Sequence, residues 1–147
     1  MNLLSALLKL LPTKPIYAHC DIPCGIYDPK PAQLAAQTVM KMVSLIQELK
    51  PSSEEPPFDE RKKIISQVSR LTRVKEDHAE LCKKEVLILW TDYFKSEHLE
   101  KFPDLHNLVW KTTKLCSDNK RAVDEAKAKE LIESVDKIAD IFTQTKK

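Results

Sequence analysis

The chain has 147 residues, 42% of them hydrophobic and 31% charged, which is the composition of one ordinary globular domain and not of a disordered chain. The formal net charge is +2, and the two excess positive charges belong to Lys9 and Lys14. Residues 19–147 carry equal numbers of acidic and basic side chains, which excludes a general nucleic-acid binder. The apolar runs are shorter than the roughly 18 residues of a membrane span, so we expect no stable membrane insertion.

Residues 1–18 differ from the rest of the chain and are called the leader. A leucine-rich stretch ends at Pro12, and Pro15 then favours extended backbone as far as Ala18. Proteases bind extended segments, so this stretch suits cleavage by a processing protease. A secretory signal is the alternative, because Ala18 is small. No basic residues precede the apolar run and Lys9 interrupts it, so we expect a cytoplasmic protein.

The segment after the leader, residues 19–29, is called the hook. It contains His19, Cys20 and Cys24, followed by Gly25, which is the only glycine of the chain. We therefore predict that this glycine has a backbone conformation that other residues adopt only at a cost.

The spacing of Cys20 and Cys24 is compatible with half of a zinc site, a redox pair or two unrelated thiols. No second cysteine–histidine pair completes a tetrahedral zinc set. Cleavage before His19 would add an α-amine to its imidazole, and the cysteines would add a backbone nitrogen and two thiolates. Two nitrogens and two sulfurs suit the square plane preferred by nickel(II) or copper(II), with the imidazole as an axial ligand. Before cleavage the same nitrogen is a planar amide.

The remaining sequence predicts an all-α protein, an antiparallel four-helix bundle of residues about 32–145 that carries the N-terminal metal-binding hook. Apolar residues recur at three- and four-residue steps over four segments: about 32–50, about 58–96, from near Pro103 to a turn at Ser117-Asp118-Asn119, and from there to about 144. The predicted inward side chains include Leu34, Val39, Val74, His78, Leu81, Cys82, Leu89, Leu105, Val109, Val123, Leu131, Ile138 and Phe142. Cys82 and Cys116 are expected to be small hydrophobic residues of the core.

Two parts of the sequence resemble one known family. The hook, His-Cys-Asp-Ile-Pro-Cys-Gly-Ile-Tyr-Asp-Pro, is similar to the nickel hook of the nickel-containing superoxide dismutases. Residues 89–95 and 98–106 resemble that family's Leu-Trp-Ser-Asp-Tyr-Phe-Lys and His-Phe-Glu-Lys-Tyr-Pro-Glu-Leu-His segments. The similarity covers essentially the whole chain after residue 18.

This resemblance implies a superoxide dismutase made as a precursor, with residues 19–147 as the dismutase domain of a homohexamer. One nickel ion per subunit would cycle between the II and III states while superoxide becomes oxygen and hydrogen peroxide. By resemblance, His19 supplies amine and imidazole, Cys20 supplies amide nitrogen and thiolate, and Cys24 supplies a second thiolate.

The resemblance also assigns residues around the metal. Tyr27 and Tyr93 are implied to line the path of the substrate, with ordinary packing of two amphipathic side chains as the alternative. Asp21 and Pro23 match residues that shape the loop, as does Gly25.

The chain departs from the family at two positions. Where better-known members place a glutamate and an arginine behind the axial imidazole, this sequence has Ala35 and His78. Our hypothesis is that His78 hydrogen-bonds the hook imidazole directly or through water. The alternative is a core histidine bonded to backbone. His98 is expected in a turn, and His106 is expected at the start of a helix.

Two other functions remain open on the sequence alone. A nickel or copper carrier would use the same hook without turnover. A membrane-surface or partner-binding helical protein would keep the leader as its anchor, and a reversible Cys20–Cys24 disulfide is a variant of an uncut chain.

Overall fold

The computed structural model describes residues 25–146, so the leader and the first six residues of the hook lie outside the described residues. The helices are α1 (Lys30–Glu48), α2 (Phe58–Ile88), α3 (Ser96–Lys101), α4 (Leu105–Arg121) and α5 (Glu125–Thr145). A π-helical turn, Leu89–Tyr93, follows α2 directly. No strand occurs in this part of the chain. The predicted all-α class is confirmed.

The four long helices enclose one core. α1 packs against α2 and α5, and α4 packs against the same two helices, so the ring of contacts closes. The core consists mainly of alanines, branched aliphatic residues and two cysteines. Its largest fully buried apolar side chains are Leu105, Leu131, Ile138, Val39, Val43, Val86 and Val135. Burial of each such side chain contributes about 1.5–3 kcal/mol, and this packing stabilises the bundle. The predicted four-helix bundle is confirmed.

The predicted inward face of α2 is wrong at two positions. Val74 and Leu81 are about 40% exposed, whereas the buried residues of this helix include Lys75 and Cys82. Each buried residue follows an exposed apolar one, which corresponds to a rotation of about 100° around the helix. Leu34 of α1 is also exposed, because Ala35 and its neighbours take the inward positions. The spacing of apolar residues in these two helices therefore does not by itself determine which edge of the apolar stripe faces the core.

The predicted turn at residues 117–119 is wrong, because α4 continues to Arg121. Asn119 is buried, and its Nδ2 atom donates hydrogen bonds to the carbonyl oxygens of Leu115 at 3.0 Å and Lys127 at 3.1 Å. These tertiary contacts override the turn preference of asparagine. The chain reverses further on, where an Asp124 oxygen caps α5 by accepting the Lys127 N–H at 3.1 Å. Val123 is exposed in this connection.

Lys75 is a buried lysine whose side chain caps the carboxyl end of α4. Its side chain is 1% exposed, and Nζ donates to the carbonyl oxygens of Asn119, Lys120 and Ala122, the last two at 3.0 Å. Carbonyl groups of a last helical turn have no partner within the helix. An ammonium group there satisfies them and complements the helix dipole.

Cys82 and Cys116 are free, fully buried thiols of α2 and α4. A hydrogen bond with Cys116, together with burial, raises the pKa of Cys82 well above its usual range. The Cys82 thiol therefore remains protonated. Both cysteines are fully buried and behave as small hydrophobic residues, as predicted. Between residues 25 and 146, no helix combines the length and apolar character that crossing a bilayer requires.

Candidate active site

The hook joins the bundle through a left-handed residue. Gly25 has a φ of +86°, and a Cβ atom added there would meet nothing within 4 Å. Glycine is therefore required by backbone conformation and not by crowding, which confirms the prediction. A short turn follows, in which Asp28 Oδ1 accepts the Lys30 N–H at 2.8 Å, and α1 begins. This turn places Tyr27 at the start of α1.

The helix predicted over about 58–96 changes geometry before its end. α2 stops at Ile88, and the Phe94 N–H donates to the carbonyl oxygen of Leu89 at 2.9 Å, a bond that spans five residues. The π-helical turn adds one residue to the helix and rotates the next residues of the chain by about 100°. Such turns are frequent at functional sites. Here it sets the direction of Tyr93, the last residue of the turn.

Tyr93 is the centre of an aromatic cluster. Its ring lies edge-on to Tyr27 with centroids 5.7 Å apart, against Phe142 of α5 at 4.3 Å, and stacked with His98 at 5.7 Å. The Tyr93 hydroxyl lies 3.0 Å from Oγ1 of Thr145. The structure therefore brings together the two predicted site tyrosines, which are far apart in the sequence.

A cavity of about 540 Å³ opens beside this cluster at one end of the bundle. Its walls come from the hook, the π-helical turn, the start of α3 and the carboxyl end of α5, and they carry both signs of charge. They consist of Gly25, Tyr27, Asp92, Tyr93, Lys95, Glu97, His98, Phe142, Thr145 and Lys146. Gly25 follows Cys24 directly in the sequence. The last predicted metal ligand thus precedes a wall residue of this cavity.

Several wall residues were missed by the sequence analysis. His98 was expected in a turn, which is wrong, because it lies in the short helix α3, where its Nδ1 atom accepts the Lys95 N–H at 3.1 Å. It also stacks on Tyr93, which no local pattern indicated. Phe142 and Thr145 could have been found from topology, because in an antiparallel bundle the end of the last helix meets the start of the first.

His78 and Ala35 are not among the residues that line this cavity. His78 is half-buried on α2, about 22 Å from Tyr93 along the helix axis. Ala35 is buried and offers no polar side-chain atom. The proposed partner of His78, the imidazole of His19, lies outside the described residues, so the hydrogen bond stays a prediction. His106 is exposed in the first turn of α4, as expected, and contacts Trp90 edge-on.

Donor atoms for a metal are scarce in the bundle itself. Within residues 25–146, no group of three or more histidine, cysteine, aspartate or glutamate side chains is placed to hold a metal ion. A second groove of about 720 Å³ lies between α4 and α5, but its walls contain no histidine, cysteine or tyrosine. The predicted nickel ligands, His19, Cys20 and Cys24, lie outside the described residues.

Comparison with known proteins identifies the family. The model of the nickel-containing superoxide dismutases matches residues 14–146. The nickel superoxide dismutase of Streptomyces coelicolor is 39% identical over 136 residues, which are 92% of this chain and 94% of that protein. The enzyme of Streptomyces seoulensis is 37% identical with the same coverage.

Solved structures agree with these relatives. A native nickel superoxide dismutase structure matches with a TM-score of 0.72 and 37% identity, covering 88% of this chain and 100% of that one. A second structure, with nickel ligation corresponding to the oxidised state, matches with a TM-score of 0.71 and 33% identity, over 86% and 97% of the two chains.

The fold and these relatives define a helical metalloenzyme of the oxidoreductase class. The chain belongs to the family of nickel-containing superoxide dismutases. Its activity is superoxide dismutation and its metal is nickel. The alternative of a non-catalytic metal carrier is not favoured.

Proposed function

We propose that superoxide dismutation takes place where the hook meets the cavity, with nickel held by His19, Cys20 and Cys24 after cleavage before His19. The observation that carries this proposal is the position of Gly25. This residue lies in the wall that also contains Tyr27 and Tyr93, and it is the direct neighbour of Cys24. The hook therefore continues from the edge of a cavity that already holds both implied site tyrosines.

The donor set fits nickel chemically. The freed amine and imidazole of His19, the amide nitrogen and thiolate of Cys20, and the thiolate of Cys24 provide the nitrogen and sulfur donors of a square-planar site. Nickel bound there would supply one-electron chemistry between its II and III states, by which two superoxide ions and two protons become oxygen and hydrogen peroxide. We propose one ion per subunit.

The protein residues around the site bind and orient the small reactants. Tyr27 and Tyr93 narrow the cavity with their rings. Lys95 and Lys146 are the cationic residues of its walls, where Asp92 and Glu97 balance their charge, and their ammonium groups can attract an anion such as superoxide. Asp21, Pro23 and Gly25 are proposed to shape the hook.

Cleavage of the leader is part of the proposal, because the α-amine of His19 exists only after it. The native solved structure is covered completely by 88% of this chain. The part without a counterpart is close in length to residues 1–18, which are about 12% of the 147 residues. We further propose a homohexamer in the cytoplasm and a separate processing protease. An anchoring role of the leader on membrane surfaces is the second possibility and requires that the mature chain keep it.

The experiment compares two forms of the chain, residues 1–147 and residues 19–147, each loaded with nickel. We expect the shortened form to bind one equivalent and to accelerate superoxide decay in stopped-flow measurements, while the full chain does neither. A form that keeps Ala18 before His19 is the matched control, because it differs by one residue yet blocks the amine. Equal activity of the control and the shortened form would contradict the proposed site.

A further inference from the structure

The last turn of α5 reaches into the cavity at Thr145, and its hydroxyl makes two hydrogen bonds. Oγ1 of Thr145 donates to the carbonyl oxygen of Phe142 at 2.8 Å. The same Oγ1 atom lies 3.0 Å from the hydroxyl oxygen of Tyr93. Thr145 is only partly exposed.

The donor in the second bond follows from the number of protons. A threonine hydroxyl carries one proton and two acceptor lone pairs. Since that proton is used toward Phe142, the bond between Tyr93 and Thr145 forms only if the phenol of Tyr93 donates. The proton of Tyr93 therefore points to α5, and the free lone pairs of its oxygen are left for other partners.

The rest of the cluster fixes the same orientation. Phe142 packs on the Tyr93 ring at 4.3 Å and His98 stacks on it at 5.7 Å, so the ring has little freedom to turn away. The carbonyl oxygen of Phe142 also accepts the Lys146 N–H at 3.0 Å, which keeps the last turn of α5 formed. Thr145 is thus fixed by a hydrogen bond within α5, and its hydroxyl in turn accepts the hydrogen bond from Tyr93.

We infer that Thr145 is a positioning residue of the site, which takes the phenol proton of Tyr93 and so presents the Tyr93 oxygen to the cavity as a hydrogen-bond acceptor. An acceptor is suited to the O–H groups of water and hydrogen peroxide, whereas superoxide has no proton to donate. In this orientation Tyr93 orders water and the product hydrogen peroxide, whereas superoxide is attracted by the ammonium groups of Lys95 and Lys146. This inference rests on the proposed function for its catalytic consequence, but not for the hydrogen bond.

The test uses Thr145→Val, which keeps the shape of the side chain and removes the hydroxyl, and Thr145→Ser, which restores the hydroxyl. The matched control is Thr143→Val in the same turn, where Oγ1 donates to the carbonyl oxygen of Ala139 at 2.9 Å and not to a neighbour of the cavity. In chains of residues 19–147 labelled with ¹³C at tyrosine Cζ, Tyr93→Phe assigns the Tyr93 resonance.

We expect Thr145→Val to shift the Tyr93 resonance in the metal-free protein and to lower superoxide turnover of the nickel-loaded protein about fivefold, the effect of one hydrogen bond. Thr145→Ser should restore both, and Thr143→Val should change neither. In a Tyr93→Phe background, Thr145→Val should have no further effect on turnover, because Thr145 acts through the phenol.

An unshifted Tyr93 resonance in Thr145→Val would overturn the hydrogen bond, and a shifted resonance with unchanged turnover would overturn the positioning role. A further loss of turnover in the Tyr93→Phe background would equally overturn it. If the unsubstituted, nickel-loaded chain were inactive, the proposed function would fail, while the resonance measurement would still decide whether Thr145 holds the phenol. Circular dichroism checks that each variant keeps its helices.

Discussion

The ring of Tyr27 meets the ring of Tyr93 edge-on, with the two centroids 5.7 Å apart. Tyr27 follows Gly25 in the hook, whereas Tyr93 ends the π-helical turn behind α2. Because Tyr93 also packs on Phe142 of α5, this contact ties the hook to two helices of the bundle.

Removing the Tyr27 ring should loosen this attachment. An edge-to-face aromatic pair contributes about 0.5–1.5 kcal/mol beyond its buried area. We expect Tyr27→Ala to lower the free energy of unfolding by about 1–3 kcal/mol and to reduce superoxide turnover. Tyr27→Phe keeps the ring and should retain the stability. Urea unfolding and stopped-flow decay of superoxide measure the two effects, and equal stability of both variants would contradict the role of the ring.

The two cysteines of the hook and the two cysteines of the core should have different roles, in nickel binding and in stability respectively. Cys24→Ser removes a proposed thiolate ligand, and we expect loss of nickel binding and of activity with little change in the free energy of unfolding. Cys82→Ala leaves the hook intact but opens a small cavity in the core, and should cost about 1 kcal/mol of stability while nickel binding is retained. Metal analysis after gel filtration and urea unfolding distinguish these outcomes. Nickel retained by Cys24→Ser would remove that residue from the site.

Gly25→Ala should act through backbone strain alone. The added Cβ atom meets no neighbour within 4 Å, but alanine at a φ of +86° costs about 1–2 kcal/mol relative to its usual conformation. We expect the hook to bind nickel more weakly and the bundle to keep its helical circular dichroism. Competition with a chelator measures the affinity for nickel. Unchanged affinity would show that the left-handed turn is not needed to form the site.

Lys75→Met should strongly destabilise the bundle, because it leaves three carbonyl oxygens at the end of α4 without their donor. A buried polar group that loses its partner costs about 1–3 kcal/mol, and we expect a loss in the upper part of that range. Lys84→Met is the matched control, since Lys84 is exposed on the same helix and its loss should stay within about 0.5 kcal/mol. Equal urea midpoints for the two variants would contradict the capping role.

His78→Gln tests the departure from the family pattern. If His78 hydrogen-bonds the hook imidazole, the variant should change superoxide turnover and the electronic spectrum of the bound nickel. His106→Gln is the control, because His106 is exposed and lies in the first turn of α4. Unchanged turnover and an unchanged spectrum in His78→Gln would remove this residue from the mechanism.

Patterns along the chain predicted much of the molecule. The three- and four-residue spacing of apolar residues predicts four helices, because burial of one helical face follows directly from local order. The lone glycine at position 25 predicts a left-handed residue, since backbone sterics depend on the residue itself. The donor atoms of the hook predict nickel or copper, and the resemblance to the family selects nickel.

Local pattern failed where a distant contact decides the conformation. The turn expected at residues 117–119 is helical because Asn119 is bonded across the connection to Lys127. The buried place of Lys75 depends on the carbonyl groups of another helix, although lysine is usually exposed.

The helical class, the left-handed entry at Gly25 and the donor set of the hook could all be predicted from the order of the amino acids, because each depends on residues that are neighbours in the chain. The shared cavity of Tyr27, Tyr93 and Thr145 could not, and neither could the direction of the phenol proton of Tyr93 toward α5. These relations join three segments of the chain, and their geometry depends on how the helices pack and on the extra residue of the π-helical turn.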